Sequence, residues 1–101
     1  MARKDRPHTD DGRYLVAKGI LKRCTNPSLD DSTRRRAVKQ LMQARMAKDA
    51  HEVLAAKITL GEAGPVWWDD NEPDYSGQLP SETPYANWWN SLSGAERQSG
   101  M

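Results

Sequence analysis

The stretch GPVWWDDNEPDY, residues 64–75, sets Trp67, Trp68 and Tyr75 beside Asp69, Asp70, Glu72 and Asp74. Adjacent side chains of an extended segment point to opposite sides. One tryptophan of the pair can therefore enter a core while the other stays at the surface as an anchor for a partner, since Trp and Tyr dominate interface hot spots. The same split applies to Trp88 and Trp89, which lie about 100° apart if their segment is helical. Trp67, Trp68, Tyr75, Trp88 and Trp89 are thus the candidate partner-binding residues. The competing reading is that these rings, with Tyr85, pack on the rest of the chain and build its core. The four acids offer oxygen, but a hard cation needs about six converging oxygens. Their spacing also lacks the glycine and closing glutamate of a calcium loop. Caps and ion pairs with Arg34, Arg35 or Arg36 account for them as well, and no metal or cofactor is expected.

The second group that can do chemistry is Arg34, Arg35 and Arg36 with Lys39. On a helix Lys39 follows Arg35 by four residues and Arg36 by three, so those three share a face, while Arg34 points toward the apolar stripe. Such a patch can hold phosphates, although three cations make a small footprint and no known DNA-reading motif frames them. The remaining chemistry-bearing residues are scattered. His8 precedes Thr9, Asp10 and Asp11 in a polar arm, a poor support for a ligand shell. His51 belongs to the first turn of a helix. Cys24 is the single cysteine, which rules out an internal disulfide and fits a reducing compartment. There is no phosphate-binding glycine loop and no nucleophile elbow. Nothing here supports catalysis.

Charge is divided along the chain. Residues 1–60 hold 14 Lys/Arg and 7 Asp/Glu, and residues 61–101 hold 1 and 7, so a +7 segment is followed by a −6 segment. Either the acidic part neutralises the basic body, or the basic face meets nucleic acid or an acidic partner. At 101 residues the chain supplies one small core, with no Phe and with four Trp and three Tyr as its aromatic bulk. No apolar run has the length of a membrane span, and the charged start has no apolar segment of a leader behind it. The expectation is a cytoplasmic protein.

These residues need elements to position them. Tyr14, Leu15 and Val16, then Ile20 and Leu21, flank Lys18-Gly19, which predicts a hairpin over 13–17 and 20–24. Asn26-Pro27 breaks the strand, and Ser28 with Asp31 resembles a helix start. Val38, Leu41, Met42 and Met46 form an apolar stripe at helical spacing. Asp49 with Glu52 resembles a capping box, Val53, Leu54, Ala56, Ile58 and Leu60 follow, and Gly61 suits a helix end. Two helices are expected, about 30–47 and 50–60, with one bent helix as the alternative. The last third holds all four Trp and four of the six prolines. Its Thr83-Pro84 predicts a short helix over 84–92.

The series GRYLV near the start, NPSL entering the basic helix, GEAGPVWW, PDY and TPYANWW resembles a family of short uncharacterised bacterial proteins. The resemblance covers roughly residues 6–92. It implies a real folded domain and assigns no activity and no catalytic residue. The fold expected is α+β, mostly α: an N-terminal hairpin, a two-helix body and an irregular Trp-rich segment with a short helix. Residues 1–12 are expected as a flexible arm, 13–92 as a single small domain and 93–101 as a disordered tail. The function expected is a protein-interaction or accessory module that binds a protein partner or a second copy of itself, with exposed aromatics as its contact. The alternative is a nucleic-acid accessory protein using Arg34, Arg35, Arg36 and Lys39.

Overall fold

A computed structural model describes residues 6–101. Residues 1–5 of the expected arm lie outside the described residues. The fold is α+β and mostly helical, with strands β1 (Tyr14–Ala17) and β2 (Ile20–Arg23), helices α1 (Asp31–Met46) and α2 (Ala50–Leu60), a single 3-10 turn at Pro80–Glu82, and short helices α3 (Ala86–Ser91) and α4 (Gly94–Ser99). The chain divides into two compact units. One joins residues up to Cys24 with Pro73–Met101, and the other is Thr25–Glu72.

The first unit is built on the hairpin. β1 and β2 pair antiparallel, Tyr14 opposite Arg23 and Ala17 opposite Ile20. The turn between them puts Lys18 at φ 55° and Gly19 at φ 78°. Both residues sit in the left-handed region that the twist of a two-residue hairpin loop demands. Neither edge of this two-stranded sheet is bare. On the β1 side Val16 donates its N–H to the Pro7 carbonyl at 3.0 Å and Thr9 donates to Tyr14 at 2.9 Å. Residues 7–9 of the expected arm therefore lie along β1, with Thr9 buried. On the β2 side Leu21 donates to Gln78 and Gly77 donates to Leu21, at 2.9 and 2.8 Å. A lone hairpin is marginal in water, and covering both edges supplies the missing backbone partners. Residues 93–101, expected as a disordered tail, carry α4, whose Ser93 and Glu96 form a reciprocal capping box. The Gly100 carbonyl then accepts the Gly19 N–H at 2.9 Å. Tyr14, Val16 and Leu21 are fully buried in this unit.

The second unit is an antiparallel pair of helices. α1 starts at Asp31 rather than nearer Ser28, because the Asn26 side chain accepts the Ser28 N–H at 2.9 Å and holds a turn there. At the start of α2 Asp49 accepts the Glu52 N–H at 3.2 Å, whereas the Glu52 carboxylate accepts from Gln40 instead of closing a box. Two helices form, separated by residues 47–49, with Lys48 at φ 55° at the corner. The core of the pair is Ala37, Leu41, Ala56 and Leu60, with Leu29 and Val53 partly buried against it. Early residues of α1 thus meet late residues of α2.

This core corrects the expected stripe. Leu41 faces inward, but Val38, Met42 and Met46 face outward, Met42 60% and Met46 85% exposed. Ala37 and Ala44 take the inward positions. The tight connection holds the helices close, and close approach favours small side chains at the contact. Val38 lies one step, about 100°, beyond Ala37, and Met42 one step beyond Leu41.

Candidate functional site

The expected contact residues fall into two sets. Trp67 and Trp68 belong to the helical unit. Gly61 ends α2 at φ 83°, a left-handed cap whose N–H returns to Lys57 and Ile58 carbonyls. The chain then bends back over that end. A Cβ at Gly61 would lie 2.9 Å from Trp67 Cδ1 and 3.0 Å from Asn26 Cβ, so Trp67 packs directly over the cap. Trp68 is buried, and its indole N–H donates to the Glu72 carbonyl at 2.8 Å. The two indoles meet edge to face, centroids 5.1 Å apart at 81°. The backbone here is bent rather than extended, so the pair does not split into one inward and one outward ring. Trp68 is structural, and Trp67 is half-buried.

Tyr75, Trp88 and Trp89 belong to the hairpin unit and are likewise half-buried. Trp88 and Trp89 sit on α3 with centroids 6.1 Å apart. Tyr75 joins a group the sequence does not single out. Tyr14 and Tyr85 meet edge to face at 5.3 Å, and Tyr75 meets Tyr85 at 6.1 Å. The Tyr14 hydroxyl accepts the Tyr75 N–H at 2.8 Å and lies 3.4 Å from the Asp74 carboxylate. The Tyr85 hydroxyl donates to Asp11 at 2.6 Å. Burial, opposed by the Tyr75 N–H and reinforced by the Asp74 charge, pushes the Tyr14 phenol up to about 12. Tyr85 is raised too, by burial and by the Asp11 carboxylate. Burial acts to raise Asp74 as well, yet hydrogen bonds from Ser76 and the Arg23 charge outweigh it and leave its carboxyl below the ordinary value. The buried Arg23 guanidinium lies 3.9 Å from that carboxylate. The neutral phenols of Tyr14 and Tyr85 and the ionised carboxylates of Asp11 and Asp74 form a polar lattice that ties residues 73–85 to the hairpin and to Asp11 before it.

The basic patch is partly spent. Arg34 is ion-paired with Asp31, and the Arg35 Nε donates to the Asp31 carbonyl at 3.3 Å. Arg35, Arg36 and Lys39 are exposed. Two acids of residues 69–74 also cap their own turns: Asp70 accepts the Glu72 N–H at 3.2 Å and Asp74 accepts the Ser76 N–H at 2.9 Å. Among the described residues no group of three His, Cys, Asp or Glu side chains converges on a point that could hold a metal. His8 bridges to β1 opposite Leu15, its Nδ1 2.8 Å from the Arg6 carbonyl. Cys24 is a half-buried free thiol. No helix among the described residues is long and apolar enough to cross a membrane.

The apolar surface lies elsewhere. Val38, Met42 and Met46 on α1, with Leu54 and Ile58 on α2, are five of the seven large apolar side chains that are exposed among the described residues. The spacing of Ala37, Ala44 and Ala56 is the sequence signal for this outcome, since small residues mark the packed face. No protein-family model, curated protein or solved structure matches this chain.

Proposed function

We propose that this chain is a protein-interaction or accessory module, with its contact surface on the helical unit. The observation behind this reading is the outward row of Val38, Met42, Met46, Leu54 and Ile58. Exposed apolar side chains gathered on one surface mark interaction sites, and these five lie on the two helices of one unit. Methionine adds adaptability, because its unbranched thioether refits to different partners. The rings of Trp67, Tyr75, Trp88 and Trp89 are half-buried, whereas these five side chains are exposed.

The test is capture of partners on immobilised full-length protein from lysate of its source organism, with and without nuclease, beside sedimentation of the free protein. A stoichiometric protein that survives nuclease and is lost with a Met42→Gln/Leu54→Gln double variant supports the reading. Self-association lost with the same variant supports its homodimeric form. Recovery unaffected by the double variant, together with a monomer in sedimentation, sinks it.

The nucleic-acid reading retains Arg35, Arg36 and Lys39, which are exposed on α1. With Arg34 paired to Asp31, about three phosphate contacts remain, and the salt dependence of binding would have a log–log slope of roughly −3 at most. Absence of salt-sensitive binding to DNA and RNA removes it.

A further inference from the structure

We propose that the groove between α1 and α2 lined by Arg45, Lys48, Ala50, Val53, Leu54 and Lys57 receives an acidic amphipathic helix of another protein; this rests on the protein-interaction reading. The groove has a volume of about 430 Å³ and mixes three apolar with three cationic side chains. Its apolar lining is Val53, half-buried, with Ala50 and Leu54, and the three cations line the rest. None of those cations is in an ion pair with a described residue.

Helix geometry places this groove on one flank of the pair. Arg45 lies one step beyond Ala44, Leu54 one step beyond Val53 and Lys57 one step beyond Ala56, and Ala44, Val53 and Ala56 all turn inward to some degree. Because the helices run antiparallel, equal steps on the two helices turn their side chains to the same side. Val38 shares that side. The acids of the helical corner line a different groove: Asp49 and Glu52 sit with Gln40, Gln43, Ala44 and Ala47. Near the corner the two grooves thus differ in charge, with three cations and Leu54 lining one and Asp49 and Glu52 with two glutamines lining the other. No Asp or Glu is among the residues that line the cationic groove.

That difference chooses the occupant. A second copy docked face to face by a two-fold axis would set Arg45, Lys48 and Lys57 against the same three cations. A helix with apolar residues at spacings of three and four would cover the apolar lining, and Asp or Glu beside them would meet the cations. Lys48 adds a second indication. It holds a left-handed backbone at φ 55°, a position where glycine or asparagine is relaxed and lysine is strained. The strained residue is one of the three cations that line the groove.

The experiment titrates the full chain into a fluorescein-labelled 18-residue peptide with leucines at helical spacing and glutamates between them, and reads anisotropy. The control peptide replaces every glutamate with lysine. The acidic peptide is expected to bind and the basic one to bind at least about tenfold more weakly. A Lys48→Glu/Lys57→Glu double variant should reverse that order, and Leu54→Gln should weaken the acidic peptide with melting curves unchanged. Equal binding of both peptides overturns the proposal. So does binding of neither peptide while a partner sensitive to Leu54→Gln is still captured, in which case the interaction reading stands without this occupant. Loss of both the peptide and any such partner removes the two together. Cosedimentation with vesicles of anionic phosphatidylglycerol, abolished by the charge variant and unaccompanied by peptide binding, would assign the groove to a membrane surface instead.

Discussion

The hairpin unit encloses Tyr14, Val16 and Leu21 completely and covers both edges of its sheet with its own backbone, whereas the helical unit closes on Ala37, Leu41, Ala56 and Leu60 and turns its methionines outward. One unit ties itself with a polar lattice of Tyr14, Asp74, Arg23, Tyr85 and Asp11. The other packs its helices through Ala37, Leu41, Ala56 and Leu60. The difference teaches where to look for contact with other molecules. A two-stranded sheet must cover its edges and bury its aromatics to exist at all. Two helices joined by a tight corner already satisfy their backbone, so their outer faces are free to carry apolar side chains for a partner.

The comparison breaks most visibly at Leu60, which is buried in the helical core. Leu60→Ala should lower unfolding free energy by about 2–5 kcal/mol, read by denaturant titration. If the loss is below about 0.5 kcal/mol, the small core contributes little and the packed face has been misassigned. Next is Tyr14→Phe in the hairpin unit. Removing the hydroxyl strands the Tyr75 N–H and should cost about 1–3 kcal/mol, with the aromatic contacts kept. An unchanged midpoint would demote the polar lattice. Gly61→Ala places a Cβ against Trp67 in a left-handed cap and should cost about 1–2 kcal/mol, accompanied by a change in tryptophan fluorescence.

The pH dependence probes the polar lattice of the hairpin unit. The folded phenol of Tyr14 is raised to about 12 from an ordinary value near 10. Its contribution is fully present below the ordinary value and is lost as pH rises toward 12, because the unfolded chain gives up the proton first. Asp74 and Asp11 are lowered, so their contribution is present above the ordinary carboxyl range and is lost as pH falls through their folded values. Stability measured against pH should therefore decline at both limbs. Tyr14→Phe should flatten the alkaline limb and Asp74→Asn the acid limb. A variant that leaves its limb unchanged would show that its group does not couple to folding.

The smallest effect sharpens the comparison most. Met42→Gln should change stability by less than about 0.5 kcal/mol, because Met42 already faces solvent. The adjacent Leu41→Ala should cost several times more. Equal losses at the two positions would restore the inward stripe that the sequence suggests.

Local chemistry was legible from residues alone. Lys18-Gly19 between β-prone runs marks the hairpin, because a two-residue turn needs left-handed backbone and glycine supplies half of it. Asp49 and Gly61 bracket α2 as a cap acceptor and a left-handed end. These depend on neighbours within four residues. The buried face of α1 was not legible in the same way. Val38, Leu41, Met42 and Met46 form a valid helical stripe, but so do Ala37, Leu41 and Ala44, and periodicity cannot choose between them. The choice came from the partner helix and the corner at residues 47–49, which reward small side chains at the closest approach. Likewise Trp67 and Trp68 were visible as a pair, but their edge-to-face contact and the bond from Trp68 to Glu72 required the bend after Gly61. Side-chain type and short spacing determined the elements and their ends. Only the tertiary structure decided which face each element turns inward, because burial is settled by contacts between residues distant in the chain.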